Sequence, residues 1–212
     1  MAESFQMRLQ QKRKEEKRKK YAVGIAVVLL LLSLLVYFFT LLEPVQKRYL
    51  YPYPYREIVE KYADTYGVDS SLAAGVILSE SKFRNDVHSH RGAVGLMQLM
   101  PDTAYWIAEQ LDDTSFSLSK LYEPETNIRY GIWYLSSLQK EFGGNEILTL
   151  AAYNAGRGNV HEWMQRYGWT MDFARMEEIP YEETRAYVQA VLKNRVKYHN
   201  LYISVKDFLP KL

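Results

Sequence analysis

Two hydrophobic patterns divide this chain: an unbroken apolar run near its start and a long stretch of helical periodicity after it. Residues 21–42 comprise 22 amino acids with neither a charged residue nor a proline. A helix rises ~1.5 Å per residue, so the run reaches about 33 Å, more than the roughly 30 Å hydrocarbon core of a bilayer. The pattern therefore predicts one transmembrane helix that contacts the lipid bilayer through residues 21–42.

A cleaved signal peptide is the alternative interpretation of this run. Signal peptides have a shorter apolar region, about 7–15 residues, followed by small residues at the cleavage site. Here the run is longer and leads into Leu41-Leu42-Glu43-Pro44. An uncleaved membrane anchor is therefore the preferred interpretation.

Basic residues cluster on one side of the run, between Lys12 and Lys20. Such a cluster could bind nucleic acid, but beside a transmembrane helix it is typical of the cytoplasmic flank. We therefore expect a single-pass protein of the cell membrane, with its N-terminus in the cytoplasm and its main domain on the other side.

The helical pattern begins at Arg56. One apolar stripe ends at Gly67, and a second begins after Asp69, an expected N-cap. Further helices are predicted over residues 102–111, 124–142, 145–154, 159–167 and 182–202. No segment alternates convincingly like a strand, although a short hairpin near residues 93–100 is an open alternative. The predicted fold class is all-α, preceded by one transmembrane helix.

These patterns predict five parts along the chain. Tyr51-Pro52-Tyr53-Pro54-Tyr55 ends a linker that its alternating prolines predict to be extended. The parts are a basic cytoplasmic segment (1–20), a transmembrane anchor (21–42), a linker (43–55), a helical domain (56–202) and a C-terminal tail (203–212).

Charge and cysteine content narrow the classes of partner. The whole chain carries a net charge of +2, but residues 43–212 hold 19 basic and 22 acidic residues, a net charge of −3. An acidic outer domain gives no reason to expect nucleic acid as a partner. The chain has no cysteine, which excludes disulfides and thiol catalysis and, for an exported domain, favours a bacterial source.

Glu80 is the candidate catalytic acid. It lies seven residues after Ala73 and three after Ile77, so its carboxyl falls on the buried face of the second helix. Apolar surroundings favour the neutral form of a carboxyl, which makes it an acid near neutral pH. On the helix pattern alone, a structural ion pair with Arg84, Arg91 or a basic residue distant in sequence is the simpler interpretation.

Two glycine-bounded segments favour the catalytic interpretation instead. Gly92 and Gly95 bracket a turn that leads to Gln98, whose amide can donate and accept hydrogen bonds. Tyr153-Asn154 precedes Gly156, although an Asn in this position could simply end a helix.

Together these segments resemble the lytic transglycosylase domain of the soluble-lytic-transglycosylase type, which is related to goose-type lysozyme. The resemblance covers about residues 55–202 in four ordered blocks. The blocks are Glu80-Ser81-Lys82-Phe83; Ser89 with Gly92-Ala93-Val94-Gly95-Leu96-Met97-Gln98-Leu99-Met100-Pro101-Asp102-Thr103-Ala104; Ala152-Tyr153-Asn154-Ala155-Gly156 with Gly158 and Val160; and Ile179-Pro180-Tyr181-Glu182-Glu183-Thr184-Arg185-Ala186-Tyr187-Val188.

The resemblance implies a lysozyme-like helical fold and an enzyme that cleaves the β-1,4 bond between N-acetylmuramic acid and N-acetylglucosamine in peptidoglycan glycan strands. It implies 1,6-anhydro ends on the product, no cofactor, and cell-wall machinery as a further partner. Glu80 would be the single catalytic acid and base. The implied substrate-binding residues are Ser89, Gln98, Met100, Tyr153, Asn154 and Glu183.

Two other functions stay open at this point. One is a hydrolytic muramidase of the same fold, which uses water. The other is an inactive peptidoglycan-binding or scaffold module, although binding alone does not require a buried acid. A metal site at His88 and His90 is not expected, because no third ligand has suitable spacing.

Overall fold

The computed structural model describes residues 2–203, with side chains described from residue 13 onward. The chain divides into two compact units, with the boundary between Leu50 and Tyr51. Of the predicted tail 203–212, residues 204–212 lie outside the described part of the chain.

The first unit is dominated by one long helix, α1 (Ala2–Leu41). Its portion Arg13–Leu41 is long and apolar enough to cross a membrane, judged by length and composition. Two short helical segments follow, α2 (Glu43–Val45) and a π-helical turn (Gln46–Leu50). The predicted linker is therefore helical over its first part, where Pro44 occupies the first turn of a helix, a position that proline tolerates.

The second unit is built from helices. They are α3 (Arg56–Tyr66), α4 (Ser70–Glu80), α5 (Pro101–Gln110), α6 (Pro124–Glu141), α7 (Glu146–Ala155), α8 (Arg157–Tyr167) and α9 (Glu182–Tyr202), with short 3-10 turns at Leu118–Tyr122 and Met176–Glu178. No β-strand occurs in residues 2–203, and the alternative hairpin is reduced to isolated bridges from Val94 to His88 and to Leu99. The predicted all-α class is confirmed.

Helix α4 is the centre of the core. Every residue from Ser71 to Leu78 is buried, which only a helix surrounded by other elements can achieve. It packs most extensively on α9, and Gly75 makes this close approach feasible: a Cβ there would lie 3.0 Å from Val191 O. A larger residue at Gly75 would push the two helices apart.

Polar contacts fix the start of α4 against its neighbours. The carboxylate of Asp69 accepts from Ser71 N over 2.8 Å, which confirms the expected N-cap of α4. Arg195 of α9 binds Asp69 at 2.8 Å and Glu146 at 2.5 Å. The start of α4, the start of α7 and the C-terminal half of α9 are thus tied together.

The tyrosines at the end of the linker pack on the domain. Tyr198 Oη donates to Pro52 O over 2.8 Å, and Tyr202 Oη donates to Tyr51 O over 2.7 Å. The ring of Tyr53 contacts those of Tyr198 and Phe83, with centroids 5.3 and 6.1 Å apart. Residues 51–55 therefore form a strap across α9 and the turn after α4, which we call the tyrosine strap.

Candidate active site

Glu80 is the last residue of α4, and its side chain is partly buried. Desolvation raises the pKa of its carboxyl to about 7, and the nearby Tyr187 hydroxyl offsets part of the rise. Neither candidate arginine pairs with it: Arg84 donates to Ser81 O over 3.3 Å, and Arg91 faces Glu183. A carboxyl of this kind can hold a proton near neutral pH and release it to a bound group.

Two phenols flank the Glu80 carboxyl. Tyr153 Oη donates to Met97 O over 2.8 Å, whereas Tyr187 Oη is buried with no partner of regular hydrogen-bond geometry among the described residues. Burial raises the pKa of both phenols, and the charge of ionised Glu80 raises it further. Both phenols therefore stay neutral, and the Tyr187 hydroxyl is free to respond to the charge on Glu80.

Asn127, a buried residue of α6, fixes the glycine-bounded turn through hydrogen bonds of its side-chain amide. Asn127 Oδ1 accepts from Met97 N over 2.8 Å, and its Nδ2 donates to Val94 O and Leu121 O over 2.9 and 2.8 Å. A Cβ at Gly95 would clash with the Asn127 amide. This explains why the turn needs glycine at that position.

Gln98 leaves this turn with a left-handed backbone, φ +48°. Its Nε2 donates to Gly95 O over 2.8 Å and to Val87 O over 3.1 Å. Both amide hydrogens are thus used within the loop, and Gln98 presents its carbonyl oxygen to the cavity as an acceptor.

Asn154 offers the cavity a hydrogen-bond donor, whereas Gln98 offers an acceptor. Asn154 Oδ1 accepts from the buried Thr184 hydroxyl over 2.8 Å, which orients the amide and leaves Nδ2 as a donor. The cavity therefore offers one oriented acceptor from the turn and one oriented donor from α7.

The side chains at the rim of the cavity are more exposed to solvent than those around Glu80. Ser89 Oγ accepts from Ala93 N over 2.9 Å, which shapes the loop before the turn. Met100 is 42% exposed, an unusual position for a large apolar side chain. Glu183 lies in the first turn of α9, where its carboxylate is 4.0 Å from Arg91 and both side chains are largely in water.

One cavity of about 410 Å³ collects all of these groups. Every site residue predicted from the sequence lines it, namely Glu80, Ser89, Gln98, Met100, Tyr153, Asn154 and Glu183. We call it the catalytic cavity. Its floor is the partly buried carboxyl, and its walls carry neutral hydrogen-bonding groups and aromatic rings.

Sequence reasoning missed several contributors. The cavity is also lined by Arg91, Thr103 and Tyr134. The Tyr187 hydroxyl lies close enough to Glu80 to lower the pKa of its carboxyl. Tyr187 stands in the fourth motif block, four residues after Glu183, so helical spacing was the signal that could have found it. His88 and His90 are exposed, and residues 13–203 contain no group of three or more metal-ligating side chains.

Two family models match this chain. Residues 57–175 match the family described as Transglycosylase SLT domain, and residues 178–206 match the Soluble lytic transglycosylase helical domain. The chain belongs to the transglycosylase SLT domain family.

Particular relatives are the lytic murein transglycosylases. The soluble lytic murein transglycosylase of Escherichia coli is 38% identical over 144 residues, 67% of this chain and 22% of the relative. The membrane-bound lytic murein transglycosylase C of Haemophilus ducreyi is 30% identical over 69% of this chain and 46% of the relative. The chain thus spans about a fifth of the soluble relative and under half of the membrane-bound one.

The solved structures to which this chain is similar are also lytic transglycosylases. A 70 kDa soluble lytic transglycosylase in complex with bulgecin A superposes with a TM-score of 0.69 at 31% identity over 78% of this chain and 27% of that one. The lytic transglycosylase Slt of Pseudomonas aeruginosa, solved as an inactive glutamate-to-glutamine mutant, superposes with a TM-score of 0.65 at 34% identity over 78% of this chain and 29% of that one.

Proposed function

We propose that this chain is a membrane-anchored lytic transglycosylase that cleaves the β-1,4 bond between N-acetylmuramic acid and N-acetylglucosamine in peptidoglycan. The observation that carries the proposal is the Glu80 carboxyl, with its pKa raised to about 7, at the floor of a cavity lined by oriented hydrogen-bonding groups. A glutamate-to-glutamine substitution inactivates the Pseudomonas aeruginosa relative, which supports a mechanism with one essential carboxyl.

Glu80 acts first as an acid. In its neutral form it protonates the glycosidic oxygen, and the bond between that oxygen and the anomeric carbon of the muramyl residue breaks. The acetamido oxygen of the same sugar bonds to the anomeric carbon and carries the developing charge, as in other substrate-assisted glycosidases. Asn154 and Gln98 are oriented to hold the sugar during this step.

Glu80 then acts as a base. Its carboxylate takes the proton of the muramyl 6-hydroxyl, whose oxygen displaces the acetamido oxygen from the anomeric carbon. The product is a 1,6-anhydro sugar, Glu80 is again neutral, and no water is consumed. The buried phenols exclude bulk water and keep the carboxyl desolvated.

The second carboxylate of the cavity is poorly suited to activate water. Glu183 is exposed and faces Arg91, so its environment is that of a rim residue and not that of a buried base. This argues for the transglycosylase over a hydrolytic muramidase of the same fold. Glu183 is assigned to substrate binding, together with Ser89, Met100 and Tyr153 at the walls.

The apolar helix α1 supports membrane anchoring, as does the similarity to a membrane-bound relative. We place residues 1–20 in the cytoplasm, residues 21–42 across the membrane and the catalytic domain outside, on the basis of the basic cluster before the span. Protease added to cells with permeabilised walls should remove the domain. Protection of the domain in those cells would reverse this orientation.

Purified peptidoglycan provides the direct test of activity. The full chain in detergent should release soluble fragments from it, and Glu80→Gln should release at least about 10²-fold less, because positioned acid and base catalysis contributes that much or more. Bulgecin A, which binds the 70 kDa soluble relative, should still bind the variant if its fold is intact. Undiminished release by Glu80→Gln would refute the assignment.

A further inference from the structure

Arg91 stands in a tight turn at the rim of the catalytic cavity. Gly92 N donates to Ser89 O over 3.0 Å, and Ser89 N donates to Ala93 O over 2.9 Å. The Ser89 hydroxyl accepts from Ala93 N over 2.9 Å, and Gly92 has φ +92°, which glycine adopts without strain. The backbone that carries Arg91 is therefore fixed, whereas its side chain is 83% exposed.

The guanidinium of Arg91 is only loosely paired. Its Nη2 lies 4.0 Å from Glu183 Oε2, and no residue in the described part of the chain accepts a hydrogen bond from it. An ion pair this exposed contributes little to the stability of a fold. The planar set of donors on Arg91 is thus available to a ligand.

The charges of the cavity give this arginine a particular weight. Arg91 is the only basic side chain among the described residues that line the catalytic cavity, and the acidic ones are Glu80 and Glu183. Either of these, in its charged form, would repel an anionic group on a ligand. Arg91 supplies the opposite charge through which an anionic group can bind here.

The oriented amides of the cavity do not discriminate between the two sugars of the glycan. Gln98 presents an acceptor and Asn154 a donor, and the hydroxyl and acetamido groups that suit them occur on both sugars. Recognition of the muramyl residue therefore needs a contact with the substituent that it alone carries.

That substituent is anionic. A muramyl residue bears a lactyl ether whose carboxyl is either free or amide-linked to a stem peptide, and the peptide has carboxylates of its own. A guanidinium binds a carboxylate through two parallel hydrogen bonds, which are stronger than hydrogen bonds between neutral groups. N-acetylglucosamine offers no such group.

We infer that Arg91 is a specificity-determining residue, which binds a carboxylate on the lactyl substituent of a muramyl residue, either the lactyl carboxylate or one in the attached peptide. The inference rests on the proposed function, since it assumes that a peptidoglycan strand occupies the catalytic cavity. Glu183 keeps the guanidinium near the cavity, and the 4.0 Å separation leaves its donors open to the incoming carboxylate.

The test is a calorimetric titration of the full chain in detergent, in a Glu80→Gln background that prevents turnover. The ligands are three tetrasaccharides: a neutral β-1,4-linked N-acetylglucosamine oligomer, an alternating oligomer with muramyl residues whose lactyl carboxyls are free, and the same alternating oligomer with stem peptides. Arg91→Gln should weaken binding of a carboxylate-bearing oligomer about tenfold, which corresponds to the loss of one charge-assisted contact. Binding of the neutral oligomer should change by at most about twofold.

Two further variants separate recognition from a general effect of charge. Arg166→Gln is the matched control, because it removes the same charge from an exposed arginine, paired with Glu162, that does not line the cavity. It should leave all three affinities unaltered. Arg91→Lys keeps the charge but not the planar fork, so it should recover part of the lost affinity.

The pattern of losses also identifies the source of the carboxylate. A loss with the peptide-free oligomer assigns the lactyl carboxylate, and a loss with the peptide-bearing one assigns a carboxylate of the peptide. An equal loss for all three ligands, or none for any, would overturn the inference. Release of fragments from peptidoglycan by the wild type is measured separately, so failure of this inference is distinguishable from failure of the proposed function.

Discussion

The ring of Tyr53 lies edge-on against the ring of Phe83, with centroids 6.1 Å apart. Phe83 follows Glu80 by three residues, and both Lys82 and Phe83 adopt left-handed backbone conformations, with φ of 56° and 61°. Such conformations are unfavourable for residues with side chains and persist only where packing holds them. The tyrosine strap therefore braces the turn that follows the Glu80 carboxyl.

Truncation of this brace should weaken the domain. Tyr53→Ala removes a partly buried ring that contacts Phe83, Tyr198 and Tyr202, so we expect a loss of about 3 kcal/mol in the free energy of unfolding. Thermal unfolding of the full chain in detergent measures it. Tyr49→Ala, an exposed tyrosine before the strap, is the control. Equal stability of the two variants would show that the strap is not a brace.

Glu80 should destabilise the folded domain at alkaline pH. Its pKa is about 7 in the fold against 4.5 for the unperturbed group, so the folded state binds the proton more tightly. The contribution of Glu80 to stability is therefore greatest below pH 4.5, falls as pH rises between these values, and is lowest above pH 7, by about 3 kcal/mol at most.

Glu80→Gln should remove this dependence. The variant should unfold at a higher temperature than the wild type at pH 8, and the difference should shrink at pH 4. In the active enzyme, kcat/KM on peptidoglycan should fall above pH about 7, because the first step needs the neutral acid. A stability difference that grows at low pH would contradict the raised pKa.

Thr184 should act through the orientation of Asn154. Thr184→Val preserves side-chain shape but removes the hydroxyl that donates to Asn154 Oδ1 over 2.8 Å. We expect kcat/KM to fall roughly fivefold, the cost of about one hydrogen bond of orientation. Rates of fragment release measure it.

Thr149→Val is the matched control for that change. Thr149 lies on α7 as Asn154 does, it is fully buried, and its hydroxyl has no partner within the described residues. This substitution should leave the rate unaltered and raise stability by about 1 kcal/mol, since it removes an unsatisfied polar group. Equal rate losses in the two variants would mean that the α7–α9 packing, and not the hydrogen bond, matters.

Local signals in the sequence predicted the helices well. Gly67, Asp69 and Pro124 stand at helix ends in the structure, because their backbone or capping preferences act within a few residues. The segment 43–50 was predicted wrongly as extended, since one proline can also begin a helix.

The candidate site was predictable only in part. The motif blocks identified the residues that line the catalytic cavity, but they did not predict the hydrogen bonds that orient each side chain. The donor pair of Gln98 is consumed by Gly95 O and Val87 O, and the turn itself depends on Asn127 in a different helix. Contacts between residues far apart in sequence leave no periodic signal, so only the folded chain reveals them.

The identity of the new glycan end tests the central claim most directly. Peptidoglycan digested by the full chain is treated with borohydride, and the muramyl ends are analysed by mass spectrometry. The account predicts ends that are lighter by one water than reducing ends and that resist reduction, because the muramyl 6-hydroxyl attacks under the control of Glu80. Borohydride-reducible muramic acid as the main new end would contradict it and would establish a muramidase that uses water.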